Sequence, residues 1–282
     1  MNGSVWRGER EAALAALKRA GVWDPLGDLR AIADRHVGSA DTCSQTQMNH
    51  FRHDIVERCA RIPLGHILGH VDFGDLRLVV GSGVFVPRQQ SLALVEWVQH
   101  RLDLDKRSLV YDLCSGCGAI GLSLWARLGA RVVCVERDPV PLLYLQRNIS
   151  RLGAEGRGVT ARAADIAQLS MFEAARHSAD LVVCNPPYVP QGVVLEPEWG
   201  VHHPQASIFA DAQGAALIQA AARLAQLLLK PGGTLLLEHA DSQIDQVHAI
   251  LVAAGFNTIN TLRNEAFSDA TGPSVMTSGV KA

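Results

Sequence analysis

From residue 90 onward the sequence alternates short apolar runs with amphipathic stretches, and this rhythm restricts the fold more than any other feature. Runs at 108–113, 131–136, 159–163, 181–184 and 234–238 read as strands. Between and after them, 92–102, 119–128, 139–152, 212–229 and 242–254 read as helices, one with prolines in its first turn and the last closed by Gly255. Strands separated by helices cannot pair as hairpins. The pattern therefore predicts an α/β fold, a Rossmann-like, mostly parallel sheet covered by helices on both faces. Two last runs, 256–262 and 274–278, have no helix between them and are expected to pair antiparallel at the end.

The first sixty residues follow a different period. Stretches at 5–20, 26–37 and 42–60 repeat apolar residues at helical spacing, and Pro63 and Gly65 are expected to break the pattern. No strand signal precedes residue 70, so 1–69 read as a small helical domain for substrate recognition. Residues 71–86 alternate and are expected to turn at Gly81-Ser82-Gly83, which makes 70–88 a linking β-hairpin and 89–282 the sheet domain. Lys230-Pro231-Gly232-Gly233 reads as the break between a helix and the strand after it.

The chain has 282 residues, 48% of them hydrophobic, enough for one large core or two smaller ones. The net charge is −2 and no run of Lys or Arg occurs, which argues against direct contact with nucleic acid. No apolar run approaches membrane-spanning length, and the amino end is too charged for a signal peptide. A cytoplasmic location fits these features and six cysteines without a disulfide framework. Cys134 and Cys184 fall inside apolar strand patterns. Cys114 and Cys117 form a C-x-x-C without a second pair or a histidine pair, so no metal site is expected, while a redox pair stays open. His202 and His203 are adjacent and have no third ligand spaced for a metal, so a loop role is expected for them.

Gly116-x-Gly118-x-x-Gly121 follows a strand and opens a helix, with Glu136 twenty residues beyond Gly116 at the next strand end. That spacing matches a dinucleotide fingerprint. Asp112 stands before the glycines, where a carboxylate would repel a pyrophosphate at the helix amino end. A ligand with a sulfonium and an ammonium, S-adenosylmethionine, suits that acidic lip better. Asp112, Glu136 and Asp165 follow three successive strands and should line one carboxyl edge.

The strand at 181–184 stops at Asn185-Pro186-Pro187-Tyr188. Two prolines stiffen the chain, Asn185 offers an acceptor and two donors, and Tyr188 offers a flat face. This is a set suited to a planar group that carries N–H bonds.

Together, Asp112-x-x-x-Gly116-x-Gly118, Glu136, Asp165 and Asn185-Pro-Pro-Tyr188 resemble class I S-adenosylmethionine-dependent methyltransferases that act on amino groups. Pro63-Leu-Gly-His-Ile-Leu-Gly69, Phe73, Gly83-Val-Phe-Val-Pro87-Arg88 and Lys230–Gly233 narrow the resemblance to the protein-(glutamine-N5) methyltransferases of peptide chain release factors. The resemblance implies that Asp112, Cys114, Ser115, Gly116, Cys117, Gly118, Glu136, Asp165, Ile166 and Asn185 hold the cofactor. It implies a catalytic role for Asn185, Pro186 and Tyr188, and contact of Pro187 and Arg88 with the substrate. Gln89-Gln90-Ser91-Leu92 departs from the usual proline and acidic residues, and His203 stands where an acid is common. The expected acceptor is a glutamine side-chain amide of a release factor or a similar protein. A small-molecule N- or O-methyl acceptor of a biosynthetic pathway is the alternative.

Overall fold

Three helices open the chain: α1 (Gly3–Arg19), α2 (Pro25–His36) and α3 (Gln45–Cys59). Local chemistry starts two of them. The Asp24 carboxylate accepts from the Gly27 N–H at 2.9 Å with Pro25 behind it, and Ser44 and Gln47 close a reciprocal capping box. Their apolar faces enclose a core of their own around Leu17, Ile32, Met48 and Phe51, with Trp6 edge-on to Phe51 at 4.9 Å. The computed structural model describes residues 3–282 apart from Ser39, Asp41, Glu155, Ala270 and Thr271.

Pro63 does not end helical structure. It precedes a one-turn helix, α4 (Leu64–Leu68), because a proline at a helix start removes a donor that has no partner there anyway. Gly65 lies inside that helix, where a Cβ would come within 2.9 Å of a Val86 methyl. The hairpin follows as β1 (His70–Phe73) and β2 (Leu76–Val79), antiparallel, with Phe73 opposite Leu76. Its turn is therefore at Gly74-Asp75, with Gly74 at φ +56°, and not at Gly81–Gly83. The alternation continues past the second strand, so the sequence pattern alone overruns the true turn.

The remaining elements are α5 (Leu92–Arg101), β3 (Leu109–Leu113), α6 (Ala119–Leu128), β4 (Arg131–Glu136), α7 (Pro139–Arg151), β5 (Val159–Ala163) and β6 (Ala179–Cys184). Then come β7 (Val189–Pro190), α8 (Pro197–Gly200), β8 (Phe209–Ala210), α9 (Ala216–Leu228), β9 (Leu229–Glu238), α10 (Ile244–Ala253), β10 (Phe256–Asp269) and β11 (Gly272–Lys281). The seven-stranded sheet has the order β5-β4-β3-β6-β9-β11-β10. Strand β11 is antiparallel to both neighbours, and the pairs among β5, β4, β3, β6 and β9 are parallel.

Lys230–Gly233 lies within β9 and not before it. Pairing jumps from Ala179–Leu229 to Leu181–Thr234, so the tetrapeptide forms a bulge with Gly232 at φ +78°. Helix α9 starts at Ala216, later than residue 212, because Ala212, Gln213 and Gly214 all take positive φ.

Alternate strand residues feed two cores. Val110, Val132, Leu181 and Val183 belong to one, and Tyr111, Leu113, Val182 and Cys184 to the other. Chain order runs outward from β3 to β5 and then returns to β6 on the other side of β3. The crevice beyond the carboxyl ends of β3 and β6 is therefore the topological switch point, where ligands bind in sheets of this kind.

Candidate active site

At that crevice lies a cavity of about 350 Å³. The glycine loop and the ends of β4 and β5 line one part of it. Asn185–Tyr188, residues 85–91, the 195–208 segment and the end of β9 line the rest. Every residue assigned to the site from sequence lines this cavity except Gly118, which shapes the loop from below.

The loop is built by backbone freedom. Gly116 sits at φ +56°, and a Cβ there would meet nothing within 4 Å, because it would enter the cavity. Gly118, at φ +92°, is the residue before α6, and a Cβ would lie 2.5 Å from Leu145 Cδ1. Gly121 lets α6 approach β3 so closely that a Cβ would lie 2.8 Å from Asp112 Oδ2.

The acids are placed by different means. Asp112 is buried, and its Oδ2 accepts from the Gly121 N–H at 2.9 Å. Burial pushes its carboxyl up to about 7, opposed by that hydrogen bond and assisted by the Glu136 charge. Glu136 accepts from the Gly116 N–H at 2.9 Å and the Asp138 N–H at 2.8 Å, one bond to each oxygen. An ionised carboxylate keeps acceptor capacity beyond these two bonds. Asp165 accepts from the Ala167 N–H at 2.9 Å and faces Arg137 at 3.5 Å, and Ile166 behind it is buried. Ser115 contributes a buried hydroxyl that has no hydrogen-bond partner among the described residues. A cavity-facing glycine, an orphaned hydroxyl and three carboxylates fit a ligand with hydroxyls and positive charge, as S-adenosylmethionine has.

The C-x-x-C is not an assembled pair. Cys117 packs into one core, where burial pushes its thiol up to about 12, and Cys114 packs against the other. Cys114 sits at φ +56°, and all six cysteines are free thiols. Among the described residues, one group has side chains close enough to ligate a metal, His53, Asp54 and Glu57 on α3. Asp54 there is already engaged by His36 at 2.7 Å.

On the other side of the cavity, Asn185 donates from Nδ2 to the hydroxyl of Ser91 at 3.0 Å. Ser91 is buried, and its bond uses the donor end of the Asn185 amide and leaves Oδ1, the acceptor end, without a partner among the described residues. Arg88 donates to Gln90 Oε1 at 2.9 Å and stacks over Trp199 at 5.5 Å.

Comparisons with known proteins agree with this geometry. A family model described as Conserved hypothetical protein 95 matches residues 90–199. A release factor glutamine methyltransferase of Mycolicibacterium smegmatis is 37% identical over 240 residues, 82% of this chain and 83% of the relative. The chain belongs to the release factor glutamine methyltransferase family. A second relative is the 4-amino-L-phenylalanine/4-methylamino-L-phenylalanine methyltransferase of Streptomyces pristinaespiralis. It is 34% identical over 226 residues, 77% of this chain and 75% of the relative. The solved structure of a transferase from Pyrococcus horikoshii shares the fold, with a TM-score of 0.50 and 18% identity over 75% of this chain and 71% of that one.

Against the family pattern, the departures at 89–92 gain a meaning. Gln90 and Ser91 are buried side chains that hold Arg88 and Asn185, and the sequence marked them only as a departure from the family pattern, without a role. The only signal was their position just after Pro87-Arg88. His203, where the family often has an acid, is also buried. Its Nε2 accepts from the Val86 N–H at 3.1 Å, and its ring packs on Phe85 and His66 at 4.9 and 5.2 Å. Burial first, then His66, push it down to about 3, so it is a neutral acceptor at the joint of three segments.

A buried ion network anchors the 196–200 segment to the amino-terminal helices. Arg58 reaches Asp28 at 2.6 Å and Glu198 at 2.8 Å, and Arg61 reaches Glu198 at 2.6 Å and Glu196 at 2.8 Å. Burial raises the Glu198 carboxyl, but the hydrogen bonds from Arg61 and Arg58 outweigh it and hold the group below its ordinary value. No helix among the described residues is long and apolar enough to cross a membrane.

Proposed function

We propose that this chain transfers the methyl group of S-adenosylmethionine to the side-chain amide nitrogen of a glutamine in a peptide chain release factor, in the cytoplasm and without metal or direct nucleic-acid contact. The observation that carries this reading is the Asn185 amide, whose donor end is tied to Ser91 and whose acceptor end is left for a ligand N–H.

Bound S-adenosylmethionine supplies an electrophilic methyl on a sulfonium. Gly116, Glu136, Asp165, Ile166 and the Ser115 hydroxyl would hold its nucleoside and amino-acid parts, and Gly118, Asp112, Cys114 and Cys117 shape the loop and the floor. On the acceptor side, Asn185 Oδ1 and the Pro186 carbonyl receive the two N–H bonds of the amide. An amide nitrogen is a weak nucleophile because its lone pair is delocalised. These acceptors gain strength as the nitrogen becomes positive, so they stabilise the transition state more than the ground state. Tyr188 packs on the amide plane and aims the nitrogen along the methyl–sulfur axis. The proton leaves to solvent after transfer. Pro187 and Arg88 contact the acceptor's flanking atoms.

Residues 1–69 act as the recognition unit, 70–88 as the link and 89–282 as the methyltransferase unit. The separate helical core and the Arg58–Glu198 tie to the cavity wall support that division.

A second reading, methylation of an aromatic amine on a small molecule, is favoured by the Streptomyces pristinaespiralis relative. An aryl amine is also planar and carries two N–H bonds, so the same acceptors would serve it. The deciding test is transfer of labelled methyl to purified release factor, its Gly-Gly-Gln loop variant with Gln→Ala, and 4-amino-L-phenylalanine. Label on the wild-type factor alone is the expected outcome. Label on the amino acid alone replaces the first reading with the second.

A further inference from the structure

We propose that Gln243, just before α10, is a positioning residue for the acceptor side of the site: its buried amide sets the direction in which Tyr188 enters the cavity. The inference rests on the methyl-transfer reading for its catalytic consequence, not for its geometry.

Gln243 is buried, and its amide ties together three distant segments. Nε2 donates to the carbonyl of Tyr188 at 3.0 Å and to that of Gln213 at 3.2 Å, and Oε1 accepts from the Ala240 N–H at 3.1 Å. Both donors are thereby used. The peptide after Tyr188 is held from its other end as well, because the Val189 N–H donates to the Ile208 carbonyl at 3.0 Å. Gly214 makes the close approach possible. A Cβ there would lie 2.0 Å from the Tyr188 oxygen and 2.7 Å from Gln243 Nε2. Tyr188 and Ala240 line the cavity, so one amide joins the rim beyond β6 to the rim beyond β9. None of these bonds involves the glycine loop, Glu136 or Asp165.

This separation defines the consequence. Gln243→Leu removes the amide donors to the Tyr188 and Gln213 carbonyls, and the Tyr188 peptide, no longer held by that bond, moves. Gln243→Glu keeps the acceptor for Ala240 but, when ionised, sets a carboxylate against two carbonyls. Once protonated it regains one donor.

The experiment compares wild type, Gln243→Leu and Gln243→Glu by thermal melting, S-adenosylhomocysteine affinity, methyl-transfer kinetics from pH 6 to 8.5, and amide exchange read by mass spectrometry. We expect cofactor-product affinity within about twofold of wild type and kcat/KM for the acceptor lower by about 10–100-fold, the loss expected for one or two hydrogen bonds left unmade. Gln243→Glu should recover activity as pH falls, which a loss of bulk stability would not produce. Exchange at the Val189 amide should rise at least about tenfold while 112–121 stays protected. Parallel loss of cofactor affinity and turnover, or unchanged turnover in both variants, overturns the proposal. If Gln243→Leu does not fold, the pH profile of Gln243→Glu decides. If the wild type methylates no acceptor, the functional reading fails by itself, and the exchange at Val189 still decides whether Gln243 holds the Tyr188 peptide.

Discussion

The two halves of the cavity are assembled differently. Asp112, the glycine loop, Glu136 and Asp165 come from one uninterrupted stretch, residues 112–167, and their hydrogen bonds run to backbone N–H groups within that stretch. The acceptor side draws on Arg88 to Ser91, Asn185 to Tyr188, Trp199 and Gln243, and side-chain bonds between distant residues hold it. The partners Asn185 and Ser91 are 94 positions apart, and Arg58 and Glu198 are 140 apart. Local backbone geometry constrains the half we propose to hold the cofactor, whereas the half proposed for the acceptor depends on how separate segments meet. The second half is therefore the one that can diverge in specificity while the first stays legible.

Mutations that strike one half alone are the sharpest check on this contrast. Glu198→Ala should be the most severe, because it takes from two mostly buried guanidinium groups the carboxylate they share and leaves each with a single acid at the joint with the helices. We expect a stability loss of about 3–5 kcal/mol by denaturant unfolding, the usual cost of removing one partner of a buried pair. Little loss would mean that the cavity wall is held by packing and not by the ion network.

Asn185→Ala comes next. Turnover should fall about 10²–10³-fold, as for removal of one preorganised polar group in a site, while S-adenosylhomocysteine affinity changes much less. Ser91→Ala should give a smaller fall in the same direction, because it frees the Asn185 amide to turn. Equal loss of cofactor affinity in both variants would join the two halves into one.

The smallest effect near neutral pH is acid sensitivity from His203. Its folded pKa of about 3 lies below the unfolded 6.5, so the stability it contributes is present above pH 6.5 and is lost as pH falls toward 3. His203→Gln should flatten the stability profile of the wild type over that interval, measured by thermal melting. An unchanged slope would place the acid-sensitive group elsewhere, since protonated Nε2 could no longer accept from Val86.

The difference between the halves also explains which features the sequence revealed. Asp112, Gly116, Gly118, Glu136, Asp165 and Asn185 were all legible, because a strand end or a tight turn needs a particular residue type at a particular spacing. The strand–helix alternation was legible for the same reason, and α6, β4 and β5 begin and end where the periodicity places them. Errors arose where local signals compete with packing. The hairpin turn lies at Gly74-Asp75 although Gly81–Gly83 is the richer turn sequence, Pro63 is followed by a one-turn helix where only a break in the helical pattern was expected, and Lys230–Gly233 bulges within a strand. The sequence marked Gln90 and Ser91 only as a departure from the family pattern and gave no signal for Gln243, because a polar residue bound to a distant carbonyl or amide looks like any surface residue.

The sequence by itself determined the sheet, the cofactor loop and the tetrad, because these follow from side-chain period, glycine and proline backbone limits, and charge at strand ends. Only the tertiary structure decided the orientation of the Asn185 amide, the neutral buried state of His203, the separation of Cys114 from Cys117 and the triple bond set of Gln243. Each of these depends on burial and on a partner brought close from far along the chain, and neither exists until the segments have packed.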